Sequence, residues 1–204
     1  MIKNIVFDMG NVVIRFDPKV FIDRFGVSAA DRDLLLREIF RSPEWVMMDR
    51  GTLTDEQAAE ILCARIPERL RDIGQKLISM WDRPIIEVEG MYALIQELKE
   101  KGYGLYLLSN ASCRQPDYWQ RVPASRFFDQ TFISYTVKLL KPMPEIYEKF
   151  FETTGLDRTE CFFIDDNPGN VEASIYVGMP GAVFDGDVKY LRRRLREAGV
   201  AVSA

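Results

Sequence analysis

Four short stretches of this chain set chemistry-bearing side chains at the end of an apolar run or just ahead of a helix start. Ile5-Val6-Phe7 runs into Asp8 and, after Met9, Gly10. Leu105-Tyr106-Leu107-Leu108 closes in Ser109 and Asn110, and Phe162-Phe163-Ile164 closes in the adjacent acids Asp165 and Asp166. Between them, Lys141 stands before Pro142 at the entrance to a helical segment. Ligands of open parallel sheets sit beyond the carboxyl ends of the strands, so acids in these places are positioned to meet a substrate. Asp165 and Asp166 repel each other and Asp8 unless a cation lies between them. A hard oxygen-liganded ion such as magnesium is the natural choice. Taken singly, each residue also has a plain structural use: Asp8 as a turn residue, one acid of the pair as a helix cap, Lys141 as a loop lysine.

What the chain lacks narrows the chemistry. It contains no histidine, which removes Ser-His-Asp catalysis, phosphohistidine chemistry and the usual zinc sites. Cys63, Cys113 and Cys161 are scattered without a paired spacing, so they are expected to be incidental thiols in a reducing compartment. A net charge of -4 and a pI near 5.1 give no electrostatic case for binding nucleic acid. No apolar run approaches the ~18 residues that span a bilayer. The amino terminus enters a strand directly, so a cytoplasmic protein is expected.

The elements needed to position these residues are visible as periodicity. After the first strand and a turn through Phe16-Asp17-Pro18, the pattern from Lys19 to about Pro84 is helical. Ser28 opens one helix through Leu34, Leu35, Leu36 and Ile39. Thr54-Asp55-Glu56-Gln57 reads as a capping box before a second, and Glu68 to Met80 as a third. From Glu87 helices and strands alternate: a helix ending at Lys101-Gly102, strands at Tyr103–Leu108 and Thr131–Ser134, and a helix from Pro144. The strand ending at Asp165 comes next, then a helix from Pro168 and a strand at Gly181–Phe184. This is the pattern of an α/β, doubly wound parallel sheet of Rossmann-like type. The helical block is far longer than a βα crossover needs, and is read as an inserted cap: residues 1–15 and 85–204 form the core, residues 16–84 the cap. Within the cap, Trp45, Met47, Met48 and Trp81 are expected to fill its own small core, with a substrate entrance as the alternative. Asp49 and Arg50 fall in a connecting turn before Gly51, where solvated residues are the commoner use. The basic run Lys189–Arg196 is read as an amphipathic helix with a solvated face, since Leu191 and Leu195 share one side.

Taken together and in order, the four stretches resemble the four motifs of the haloacid dehalogenase superfamily, most closely its small sugar-phosphate phosphatases with an inserted helical cap. The resemblance spans Ile2 to about Phe184. It implies a magnesium-dependent hydrolase of small phosphate monoesters, with a phosphorylated metabolite as partner. Asp8 is then the nucleophile, and an aspartyl-phosphate the intermediate. Asp166 is implied as a direct magnesium ligand and Asp165 as a direct or water-mediated one, with Asp8 and the Gly10 carbonyl completing the protein's share. Ser109 and Asn110 match the phosphoryl-binding motif, and Lys141 the charge that neutralises nucleophile and transferring group together. Asn167 and Asn170 bond around the metal or cap the following helix.

Three positions depart from the motifs. Where the family's first motif has a second aspartate serving as general acid and base, this chain has Gly10. Lys138 replaces a glycine, and Met143 an aspartate, around the third motif. Without an acid at position 10 the enzyme is expected to prefer leaving groups that are already acidic, unless Asp49 or Glu44 of the cap supplies the proton. A dehalogenase lacks that second aspartate too, but has little use for the Asp165-Asp166 pair. A catalytically impaired module that binds a phosphorylated ligand is the other alternative.

Overall fold

Ile5, Val6 and Phe7 carry large apolar side chains on both faces and are wholly buried, as the central strand of a parallel sheet requires. In a computed structural model describing residues 1–203, they belong to β1 (Asn4–Phe7). The other strands are β2 (Gly104–Ser109), β3 (Gln130–Ile133), β4 (Cys161–Asp165) and β5 (Gly181–Val183), all parallel, in the order β3-β2-β1-β4-β5. The strand order reverses between β1 and β4, which opens a crevice at their carboxyl ends. Phe7 pairs in register with both Leu107 and Ile164, so Asp8, Leu108 and Asp165 emerge at one level.

Helices cover both faces. On one, Met91, Leu94, Ile95 and Leu98 of α6 (Met91–Glu100) and Leu191 and Leu195 of α11 (Val188–Glu197) pack with Ile5, Phe7 and Leu105. On the other, Ile146, Tyr147 and Phe150 of α9 (Pro144–Thr154) and Val171 of α10 (Pro168–Tyr176) pack with Val6 and Phe163. The expected α/β doubly wound architecture is therefore the fold. The terminal basic run is the amphipathic helix read from sequence, its two leucines buried.

Between β1 and α6 lie five α-helices, with short π-helical and 3₁₀ turns among them: α1 (Pro18–Asp23), α2 (Ala29–Leu35), α3 (Pro43–Arg50), α4 (Asp55–Arg65) and α5 (Arg71–Met80). They gather round their own apolar cluster, which includes Phe21, Ile22, Leu35, Ile39, Met48, Leu62 and Leu77. The capping box opens α4 as expected, Thr54 and Gln57 each accepting from the other's backbone N–H. The α3 helix was not legible in advance. Ser42 caps its amino end by accepting from the Trp45 N–H, Pro43 takes the first position, and Gly51 ends it at φ 75°. Asp49 and Arg50 thus belong to the last turn of a helix rather than to a connecting turn. Among the described residues, no helix is long and apolar enough to cross a membrane.

This block is fastened to the core at several points. Asp82, only 1% exposed, accepts from Arg114 (2.8 Å) and from Arg121 of the core. The Ser134 hydroxyl at the start of α8 (Ser134–Val137) accepts from the Ala111 N–H at 2.9 Å and donates to the Asp49 carbonyl. Lys138, with φ at 60°, donates from its ammonium to the Gly51 carbonyl. The lysine that departs from the family glycine is therefore a fastening between the helical block and the sheet.

Candidate active site

The carboxyl ends of β1, β2 and β4 and the underside of the helical block enclose a cavity of about 400 Å³. Its floor holds Asp8, Gly10, Ser109, Asn110, Lys141 and Asp166. One oxygen each from Asp8, Asp165 and Asp166 comes within 4.8 Å of the others.

Lys141 organises this cluster. It is 4% exposed, and its ammonium donates to Asp8 Oδ1 at 2.7 Å, to Asp165 Oδ2 at 2.7 Å and to the Leu108 carbonyl at 2.8 Å, which uses all three of its hydrogens. Burial pushes this ammonium down, but the charges of Asp8 and Asp165 more than offset it and hold its pKa above the ordinary value. Burial pushes the Asp8 carboxyl up; Lys141 pulls it back and Asp165 adds to the rise, so it stays above the usual carboxylate range. Burial likewise raises Asp166, against a hydrogen bond from Asn11 Nδ2 at 3.2 Å that lowers it.

Asp165 is wholly buried and its oxygens are taken. Oδ1 accepts from the Asn167 N–H (2.8 Å) and Asn170 Nδ2 (3.0 Å), and Oδ2 from Lys141 and again from Asn170 (3.0 Å). Its side chain orients Lys141, while Asp166 faces the cavity. Asn167 caps α10 by accepting from the Gly169 N–H, the capping use expected of it, while Asn170 donates to Asp165. The Asn110 side chain grips the Lys141 backbone, donating to its carbonyl at 3.0 Å and accepting from its N–H at 2.9 Å. Ser109, 2% exposed, makes only a long contact of 3.5 Å to the Asn110 carbonyl, which leaves its hydroxyl available to a ligand. Gly10 has no positive φ, and a Cβ placed there meets Phe16 Cβ at 3.7 Å, an ordinary contact.

The roof is different in kind. Phe16, Trp45, Met48, Ile78 and Trp81 present an apolar and aromatic wall, and Tyr118 joins them from α7 (Gln115–Trp119). Trp45, Met48 and Trp81 pack in the helical block and line the cavity at once, so both readings of them apply; Met47 lines no part of the cavity and is 38% exposed. Two acids interrupt the wall, Asp49 and Asp55. The sequence offers Asp49 both as a solvated turn residue and as a cap acid able to reach the site; its place in the wall depends on how the short α3 docks.

A divalent cation suits the floor on charge grounds. Three carboxylates stand against the single ammonium of Lys141, and the oxygen-only donor set is the one magnesium selects.

Several known proteins are similar to this chain. The chain is 29% identical to flavin mononucleotide hydrolase 1 of Arabidopsis thaliana over 159 residues, which cover 78% of this chain and 63% of that protein. It is 25% identical to D-ribitol-5-phosphate phosphatase of Bacteroides thetaiotaomicron over 190 residues, 87% of this chain and 89% of that one. A haloacid dehalogenase family enzyme of the same bacterium, solved in complex with magnesium and inorganic phosphate, superposes with a TM-score of 0.68 at 22% identity over 94% of this chain and 99% of that one. Residues 2–178 match the haloacid dehalogenase-like hydrolases, and the chain belongs to that family.

Proposed function

We propose that the protein is a magnesium-dependent phosphatase of small phosphate monoesters, with sugar and polyol phosphates as the leading candidates. The observation that carries this is the buried trio of Asp8, Lys141 and Asp165 set beside Asp166 at the strand-order reversal, under an enclosed roof. Residues 16–84 act as the cap over a core of residues 1–15 and 85–204. The relatives that hydrolyse flavin mononucleotide and D-ribitol 5-phosphate support the same class of reaction.

In this reading an Asp8 oxygen attacks phosphorus, a strategy that needs no deprotonated hydroxyl. Lys141 holds Asp8 in place and contributes a fixed positive charge beside the transferring group. Ser109 donates its hydroxyl to a phosphoryl oxygen, and Asn110 acts through Lys141, whose backbone it positions. Magnesium would be held by Asp8, Asp166 and the Gly10 carbonyl, with Asp165, whose oxygens already accept from protein donors, behind them, and would supply charge neutralisation for the phosphoryl oxygens. A dehalogenase has no need of Asp166 beside Asp8, which favours the phosphatase.

The test is turnover of p-nitrophenyl phosphate with and without magnesium, followed by a panel of phosphorylated metabolites. Magnesium-dependent release of phosphate is expected. Full activity in excess EDTA would exclude the metal, and no turnover under any condition would favour a binding module.

A further inference from the structure

We propose that Asp49, carried by the cap helix α3, is the proton donor to the leaving-group oxygen and the base of the second step, taking the place of the side chain absent at Gly10. This rests on the phosphatase reading above.

Four acids line the cavity, and three already have partners. Asp8 is paired with Lys141, Asp166 accepts from Asn11, and Asp55 lies 3.9 Å from the Arg114 guanidinium and accepts from Cys113. Among the described residues no lysine or arginine pairs with Asp49. Its carboxyl faces the Ser112 backbone, just beyond the phosphoryl-binding stretch, and its main-chain carbonyl accepts from the Ser134 hydroxyl. The backbone of Asp49 is thus pinned to the core, and its side chain lines the same cavity as Asp8.

The groups facing it favour the protonated form. Asp55 from α4 and Asp8 from the floor are both negative, while Lys141 is committed to Asp8 and Asp165, Arg114 to Asp82 and Asp55, and Lys138 to the Gly51 carbonyl. Burial, with Asp55 and Asp8 behind it, pushes the Asp49 carboxyl up to about 7, where an acid can both give and recover a proton near neutrality. The two rivals are poorly placed for this. Glu44 is bound at both oxygens by Arg65, which holds its pKa low, and it lines no part of the cavity. Tyr118 does line it, but burial, then Asp49 and Asp82, push its phenol well above 10.

The step balances without any further reagent. As the bond from Asp8 to phosphorus forms and the bond from phosphorus to the leaving oxygen breaks, the Asp49 proton passes to that oxygen and an alcohol departs. Asp49, now a carboxylate, takes a proton from the water that attacks the aspartyl-phosphate; phosphate leaves, Asp8 is regenerated, and Asp49 is protonated again.

The test compares kcat/KM for p-nitrophenyl phosphate and for a phosphate of an ordinary alcohol, such as a hexose 6-phosphate, using the full chain with magnesium. Wild type is expected to show a shallow dependence on the leaving group. Asp49→Asn, which is nearly isosteric, is expected to lose about 10² to 10³-fold on the alcohol phosphate and less than about tenfold on the aryl one. The fall in wild-type rate above pH about 7 on the alcohol phosphate should vanish in that variant, and Asp49→Glu should restore part of the rate. A steep leaving-group dependence in wild type, or equal losses on both substrates in Asp49→Asn, overturns the proposal while leaving the phosphatase reading intact. No wild-type turnover of the aryl phosphate overturns both.

Discussion

The floor and the roof of the cavity are built on opposite principles. On the floor, the buried carboxylate of Asp165 accepts four hydrogen bonds and the ammonium of Lys141 spends all three of its hydrogens, so charge is held by a closed network. Such a network is costly to perturb, because any deleted member strands a buried charge. On the roof, aromatic and aliphatic side chains offer area without direction, and Asp49 alone among the cavity acids has neither a cationic partner nor a side-chain donor among the described residues. In the proposed reaction the floor meets what every substrate has in common, the phosphoryl group. The roof meets what differs between substrates, the group that leaves.

The contrast is sharpest at Asp8. Asp8→Asn keeps the shape of the side chain and should fold, yet kcat for p-nitrophenyl phosphate is expected to fall by about a thousandfold or more, since no other floor carboxylate can replace the nucleophile. Retention of more than a few per cent of activity would mean that water attacks phosphorus.

Next in size is the cost of opening the floor network. Lys141→Met leaves Asp8 and Asp165 buried without their shared cation, and is expected to cost about 3 to 5 kcal/mol in urea unfolding without metal. A change below about 1 kcal/mol would show that the network is solvated rather than closed.

A smaller effect is expected at Asn110, which touches the reaction only through the Lys141 backbone. Asn110→Ala should lower kcat about ten- to a hundredfold with KM little changed. A raised KM at constant kcat would instead place the amide on the substrate.

The smallest effect carries the opposite sign, and belongs to the roof. The folded protein holds the Asp49 pKa near 7, above the ordinary value of 3.8, so the unfolded chain gives up this proton first as pH rises. The folded state is therefore penalised across that window, and most fully above pH 7. Asp49→Asn is expected to raise Tm by a few degrees at pH 8 and by less at pH 5, while it slows the enzyme. An unchanged Tm at pH 8 would show Asp49 to be as well solvated as a surface acid.

Most of the floor was legible in the sequence for a physical reason. Parallel strands deliver their last residues to one edge, so Asp8, Ser109 and Asp165 could be brought together from apolar runs alone, and the sheet and its flanking helices followed from the same alternation. What escaped was set by docking. Nothing in Trp45-Val46-Met47-Met48-Asp49 indicates which side of an eight-residue helix will face a crevice formed by strands far away in the chain. Asn11, which reaches Asp166 from a residue at φ 54°, escaped for a similar reason, since its backbone conformation is fixed by the tight turn after β1. Lys138 was visible only as a departure, and its use became clear once the Gly51 carbonyl stood in front of it.

The hydroxyl of Ser134 bonds the core at Ala111 and the helical block at Asp49 with the same atom, so in the proposed reaction seating the block on the core and placing the proton donor are coupled. A substrate whose leaving group is too bulky for the cap to seat still has its phosphoryl group gripped by the floor, yet meets no acid. Discrimination by size is then written in the speed of the reaction rather than in the tightness of binding, and the wrong ligand acts as an inhibitor before it acts as a substrate.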